Sequence, residues 1–160
     1  MREIAAALGL KAGSLYHHFA SKEELFVAVY GAAIAEVSRY VRAAIAKRRD
    51  PWDRLEAAAA AHCEALVATD EAVVAVLAVE FIKVSGPVRE HLVRQRDDYE
   101  CIFRDLIADV KLRADIDPDV LRLHILGAMN LVRYWYRPGS RLTPAQIGAQ
   151  LIRTIRGGGA

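Results

Sequence analysis

Six residues between positions 11 and 22 are suited to contact nucleic acid: Lys11, Gly13, Ser14, Tyr16, His17 and Lys22. Five of them carry hydrogen-bond donors or cations, and Gly13 lets the backbone come close. Base edges in the major groove are recognised by hydrogen bonds and apolar contacts, and phosphates by cations and hydroxyls. We therefore predict that Ser14 and His17 approach base edges or phosphates, and that Tyr16 and Lys22 contact phosphates. The alternative for Tyr16 and His18 is packing against the next helix.

Two short helices around a glycine turn are predicted to position these side chains. Apolar residues at helical spacing predict a first helix that ends at Leu8, where Gly9 suits a left-handed C-terminal cap. Leu10 is expected to point back toward the core. A second helix is predicted over residues 14–19, with Leu15 on its buried side. This arrangement is typical of a helix-turn-helix.

The run GSLYHHFASKEEL at 13–25 resembles the recognition helix and following helix of TetR-family transcriptional regulators. The resemblance implies an all-helical homodimer that acts at promoter DNA and is released by a small ligand. It also implies a basic arm and a first helix ahead of the segment that begins at Met1. Because the chain lacks that helix, we expect a loosened DNA-binding domain.

The rest of the chain predicts further helices with strong start signals. Ser21 and Glu24 form a capping box before a long amphipathic pattern that reaches Ile45. Later helices are predicted over about 51–67, 69–85, 88–113, 120–136 and 144–155. No segment alternates with period two, so we predict an all-α, TetR-like helical bundle. Residues 1–46 are predicted to form a partial helix-turn-helix domain with its linking helix, and residues 47–160 a ligand-binding and dimerisation domain.

Composition agrees with a soluble, cytoplasmic globular protein. Of the 160 residues 54% are hydrophobic and 26% charged, and the formal net charge is +2. Residues 1–49 hold eight Lys and Arg against four Asp and Glu, whereas the remainder holds fourteen against sixteen. A basic N-terminal part on a mildly acidic body indicates one DNA-facing end. No apolar run is long enough for a membrane span, no leader opens the chain, and both cysteines are expected to be reduced.

The last two helices carry more apolar surface than a monomer needs. Residues 120–136 are apolar nearly all round, which requires cover on two sides. We predict a dimer interface built from six residues of these helices: Leu123, Gly127, Leu131, Ile147, Leu151 and Ile155. The resemblance implies a four-helix dimer interface at the same place. The alternative is a wholly intramolecular core.

A ligand pocket is predicted inside the second bundle, with nine lining residues: His62, Leu66, Phe81, Tyr99, Phe103, Met129, Asn130, Arg133 and Tyr134. The alternative is that these residues pack in an ordinary hydrophobic core or lie on the solvated surface of a helix. The segment YWYRPGSRLTPAQIGAQL at 134–151 resembles a TetR branch of actinobacterial regulators of steroid and fatty-acid catabolism, although Ser140 replaces a second glycine. That resemblance implies an acyl-CoA-type effector. The aromatic residues of the motif are expected to plug a turn.

Catalytic and metal-binding constellations are missing from the sequence. It contains no nucleophile elbow, no phosphate loop and no pair of histidines or cysteines at ligand spacing, so no enzyme, cofactor or metal is predicted. Two functional hypotheses remain. The first is a ligand-responsive regulator, a repressor that binds promoter DNA as a dimer. The second is a dimeric small-molecule-binding helical protein that has lost DNA binding.

Overall fold

The computed structural model describes residues 1–69 and 86–157. In those ranges it contains helices and no strand, which confirms the all-α prediction. The helices are α1 (Arg2–Ala7), α2 (Ala12–His18), α3 (Lys22–Ile45), α4 (Pro51–Ala68), α5 (Gly86–Asp109), α6 (Pro118–Trp135) and α7 (Pro144–Gly157). The helix predicted over 69–85 lies outside the described residues, apart from Thr69.

Side-chain caps fix where the long helices begin. Ser21 Oγ accepts a hydrogen bond from the Glu24 backbone N–H at 3.0 Å, as the capping box predicts. The Glu24 carboxylate, however, accepts from the N–H of Ala20 at 2.7 Å, one residue before the cap. The reciprocal form of the box occurs at α7, where the Thr143 and Gln146 side chains each accept from the other's backbone N–H. These bonds satisfy donors that the first helical turn leaves free.

Three predicted helix ends, both of α2 and the last of α5, were wrong. α2 begins at Ala12 and ends at His18, instead of spanning 14–19. α5 ends at Asp109, four residues before the predicted Arg113. Arg113 instead forms a local ion pair with Asp115, and its carbonyl accepts from the Ile116 N–H at 3.2 Å. These local bonds give residues 113–116 a turn that competes with continuation of the helix.

α4 lies at the centre of the core. Its inward face carries small residues together with Leu55, His62 and Leu66, and α5, α6 and α7 each bring a fully buried side chain to the same core. Phe103, Met129 and Ile152 are those side chains, and each is at most 1% exposed. Both cysteines are free thiols, and burial raises the pKa of Cys63 to about 12. The small side chains let the neighbouring helices approach closely.

The closest of these approaches is between α7 and α4. At Gly148 of α7 an added Cβ would overlap the carbonyl oxygen of Ala59 and lie 2.9 Å from the backbone nitrogen of Ala60. Backbone atoms cannot rotate away as the end of a flexible side chain can. Gly148 therefore sets the distance between the C-terminal helix and the core.

Gly148→Ala is expected to destabilise the protein by about 1–3 kcal/mol, the usual range for an overpacked core. Urea unfolding followed by circular dichroism measures the change. Gly157→Ala, on the same helix, is the matched control because no atom lies within 4 Å of its added Cβ. Equal stability of the two variants would show that α7 can shift without cost.

Candidate DNA-binding and effector sites

A glycine turn joins α1 to α2 and sets the angle between them. Gly9 has φ +66°, its N–H donates to Ala6 O at 3.1 Å, and the Leu10 N–H donates to Ala5 O at 2.8 Å. This pair of bonds is the Schellman motif. The prediction that Leu10 points into the core was wrong: its side chain is 48% exposed, although its backbone N–H is fixed in the motif.

The predicted DNA-contacting residues lie exposed on α2 and directly beside it. Leu15 is 7% exposed and anchors the helix, while all six predicted residues are exposed, namely Lys11, Gly13, Ser14, Tyr16, His17 and Lys22. Tyr16 is 51% exposed and His18 is also exposed, so neither side chain is buried against α3. The His17 and His18 rings meet edge to face at 5.3 Å. These exposed side chains offer hydroxyl, imidazole and ammonium donors.

The structure brings four of the predicted ligand-binding residues together around the buried His62: His62, Tyr99 and Phe103 are buried, and Asn130 is exposed at the edge of this cluster. His62 is 2% exposed, and its Nδ1 lies 2.5 Å from Tyr99 Oη and its Nε2 3.1 Å from Asn130 Oδ1. The Phe103 ring packs edge-on against His62, with centroids 5.9 Å apart. Because an amide oxygen only accepts, Nε2 carries the proton, and the Tyr99 hydroxyl donates to Nδ1.

Burial keeps this network neutral. Desolvation lowers the pKa of His62 to about 4, against the smaller opposing effect of the Asn130 hydrogen bond. Burial also raises the pKa of Tyr99. Both ring nitrogens of His62 and the hydroxyl of Tyr99 already have partners. His62 and Tyr99, the two buried polar side chains of the cluster, are therefore hydrogen-bonded before any ligand is considered.

The remaining predicted pocket residues take no part in the hydrogen bonds of His62. Arg133 Nη1 donates to the carbonyl oxygen of Leu66 at 3.0 Å, and the Met129 side chain is fully buried. Tyr134 is 65% exposed on α6 and does not join the cluster, because it points away from the core on the opposite side of that helix from Met129. Phe81 lies outside the described residues.

A groove of about 640 Å³ lies elsewhere, between α3 and α4. It is lined by Val29, Ala32, Ala33, Glu36, Val37, Tyr40, Ala61, Glu64, Ala65, Ala68 and Thr69. None of the eight predicted pocket residues that lie within the described ranges is among these. The signal that could have revealed the groove is the recurrence of alanine at helical spacing on both helices.

An apolar stripe runs along the exposed side of α6. Leu123 and Leu131 are each 57% exposed, Val120 is 47% exposed, and an added Cβ at Gly127 would meet nothing within 4 Å. The predicted residues of α7 are half-buried against the core: Ile147, Leu151 and Ile155.

In the aromatic motif at the end of α6, Tyr136 packs on the core while Trp135 is 56% exposed, so only Tyr136 fits the predicted plug.

Two kinds of site are not found in residues 1–69 and 86–157. No group of three or more His, Cys, Asp or Glu side chains there could hold a metal ion. No helix in the same ranges is both long and apolar enough to cross a membrane.

Comparison with known proteins follows the same division of the chain. Residues 1–29 match the family described as bacterial regulatory proteins, tetR family, and residues 48–158 match the family described as tetracyclin repressor-like, C-terminal domain. The HTH-type transcriptional repressor KstR2 of Mycobacterium tuberculosis is 29% identical over 163 residues, which cover 99% of this chain and 81% of that protein. Its counterpart in Rhodococcus jostii is 27% identical over 166 residues, covering 99% and 79%.

Solved structures show the same fold. The ketosteroid transcriptional regulator KstR2 of Mycobacterium tuberculosis superposes with a TM-score of 0.75 at 28% identity, over 98% of this chain and 82% of that one. AibR, solved in complex with isovaleryl coenzyme A and operator DNA, superposes with a TM-score of 0.80 at 23% identity, over 96% and 85%. These matches confirm the prediction that the protein is a transcriptional regulator and not an enzyme. The chain belongs to the TetR family of transcriptional regulators.

Proposed function

We propose that this protein is a dimeric repressor that binds promoter DNA through α2 and leaves it when a small amphipathic effector binds. The observation that carries the proposal is the exposed polar face of α2, held beside the Schellman turn at Gly9. TetR regulators bind operator DNA and small-molecule effectors, and dimers are typical of the family. An acyl-CoA thioester is the proposed effector class, supported by the 134–151 segment and by AibR, which was solved with isovaleryl coenzyme A.

The packing of the helices supports assigning two functions to two parts of the chain. We assign residues 1–46 to DNA binding and linkage, because α1 packs on α2 and α3 runs from the end of the helix-turn-helix into the bundle. We assign residues 47–160 to effector binding and dimerisation. In that part α4 is surrounded by α5, α6 and α7. α3 is the element shared by both parts.

A second copy of the chain is the proposed cover for the α6 stripe. Five large apolar side chains of this helix are 47% to 65% exposed: Val120, Leu123, Leu131, Tyr134 and Trp135. The bare backbone at Gly127 permits a second helix to approach closely. Two-fold symmetry places the same stripe on both partners, so each copy covers the other.

Fluorescence anisotropy of the chain with duplex DNA from its own promoter, across a potassium chloride series, tests the DNA-binding role. Wild type is expected to bind saturably and to weaken as salt rises. His17→Ala is expected to lose about tenfold in affinity at every salt concentration, since a base-edge or phosphate hydrogen bond disappears. Lys22→Gln is expected to reduce the salt slope by about 2 per dimer, one for each phosphate contact removed.

Lys111→Gln is the matched control, because Lys111 is exposed and lies beyond the end of α5, outside the helix-turn-helix. It should retain both the wild-type affinity and the wild-type slope. If wild type shows no saturable binding at low salt, the DNA-binding proposal fails. The alternative, a dimeric small-molecule-binding helical protein without DNA binding, then becomes the better account.

A further inference from the structure

We propose that the groove between α3 and α4 holds the apolar part of the effector, and that it accepts a group without negative charge. This inference rests on the proposed effector-responsive function and names the place and chemistry of its ligand. It moves the site away from the buried cluster around His62, where the sequence placed it. The two locations lie on different faces of α4.

The buried polar side chains of the cluster have no free ring nitrogen or hydroxyl proton to offer a ligand, and only Asn130 at its edge is exposed. His62 and Tyr99 are at most 6% exposed, and their side-chain hydrogen bonds are already made within the protein. Phe103 and Met129 are fully buried around them. A ligand entering there would have to break a satisfied network and separate close-packed side chains. The cluster is better explained as core.

The groove, by contrast, has the size and the walls of a ligand site. Its volume of about 640 Å³ falls inside the roughly 300–1,000 Å³ common for such sites. Five alanines, two valines and the Tyr40 ring form most of its lining, and the alanines keep the two helices from filling the space between them. This surface favours an elongated apolar group.

The charged residues of the groove lining disfavour an anion. Glu36 on α3 and Glu64 on α4 are both among the lining residues, and both are exposed. Arg39 engages Glu36 through two hydrogen bonds, at 2.6 and 3.2 Å, which hold the pKa of Glu36 below its usual range. The Arg39 guanidinium also lies 4.6 Å from the centroid of the Tyr40 ring. An acyl-CoA effector would therefore place its acyl group in the groove and its phosphates outside it.

A ligand in this groove would press directly on the helix that continues from α2. The lining residues of α3 lie on one side, and Gly31 lies on nearly the opposite side by the 100° helical step. There the Gln95 amide nitrogen of α5 occupies the space that a side chain would fill, 2.5 Å from the position of an added Cβ. α3 is thus held between the groove and α5, so filling the groove bears on the position of α2.

Two fluorescent probes with one skeleton test both parts of the proposal. N-phenyl-1-naphthylamine is uncharged, and 8-anilino-1-naphthalenesulfonate adds one sulfonate to the same rings. The uncharged probe is expected to bind the full chain saturably, and at least tenfold more tightly than the sulfonate. Ala32→Trp and Ala68→Trp fill the groove from opposite walls and should each weaken the uncharged probe at least tenfold. Ala35→Trp, on an exposed position of α3 outside the lining, should not change it.

A separate variant tests whether the groove disfavours a negatively charged group. Glu64→Lys is expected to narrow the difference in affinity between the uncharged probe and the sulfonate at least threefold, because it replaces a carboxylate of the lining with a cation. Ala32, Ala68 and Glu64 are exposed, so the variants should fold, and thermal melting by circular dichroism checks this.

Three results would overturn the proposal. The uncharged probe could fail to bind, or bind with wild-type affinity in folded Ala32→Trp and Ala68→Trp. The sulfonate could bind as tightly as the uncharged probe. Operator affinity of the wild-type chain is measured separately and without probe, so loss of the DNA-binding role is recognised independently of the groove.

Discussion

Leu131→Glu is expected to convert the dimer into a monomer and to weaken operator binding at least 100-fold. Leu131 is 57% exposed in the single chain and lies in the α6 stripe. Burying a leucine side chain is worth roughly 1.5–3 kcal/mol, and two-fold symmetry makes each substitution count twice. A glutamate at the same place must also be desolvated. Operator affinity falls with the dimer, because two α2 helices held together read two half-sites.

Sedimentation velocity gives the oligomeric state, and anisotropy with promoter DNA gives the affinity. Ala108→Glu is the matched control, since it adds the same charge at an exposed position of α5 away from the stripe. This control should remain a dimer with wild-type affinity. A dimeric Leu131→Glu variant would show that the α6 stripe is not the face that a second copy covers.

Acidification is expected to destabilise the protein by roughly 3 kcal/mol through His62 alone. Its pKa falls from 6.5 in the unfolded chain to about 4 in the folded protein, because burial disfavours the charged form. The unfolded chain therefore binds the proton first as pH drops. The contribution is fully present above pH 6.5, and it is lost progressively as pH falls toward and through 4.

Urea unfolding at several values between pH 7.5 and pH 4 measures this loss. His62→Gln is the comparison variant, since glutamine keeps hydrogen-bonding groups at the site but does not titrate. The difference in unfolding free energy between wild type and variant should shrink by about 3 kcal/mol across that range. Parallel curves for the two proteins would show that His62 does not hold its neutral form in the folded state.

Local signals explain why the helix-turn-helix could be predicted closely. Gly9 is the residue best suited to the left-handed position that the turn needs, and the structure has it at φ +66°. Ser21 caps α3 as the sequence indicated. Both features depend on bonds within a few residues, so the amino-acid order is sufficient to specify them. The misplaced ends of α2 and α5 arose where two local arrangements compete.

The effector site could not be read in the same way. Aromatic residues, His62 and Asn130 attracted the prediction because they combine polar and apolar groups. Whether such a group faces a ligand or satisfies a neighbour depends on Tyr99, which is 37 positions away in the chain. The groove alanines gave little signal, because alanine is the commonest choice for any helix.

The sequence by itself determined the helices, their caps, the polar face of α2 and the membership of the family, since each follows from short-range spacing or from motifs of adjacent residues. Only the tertiary structure decided that His62 is hydrogen-bonded in the core, that a groove opens between α3 and α4, and that Ile147, Leu151 and Ile155 of α7 pack against the core. Those three outcomes depend on which helix faces reach each other across long sequence separations. Helical periodicity identifies an apolar face, but packing decides what covers it.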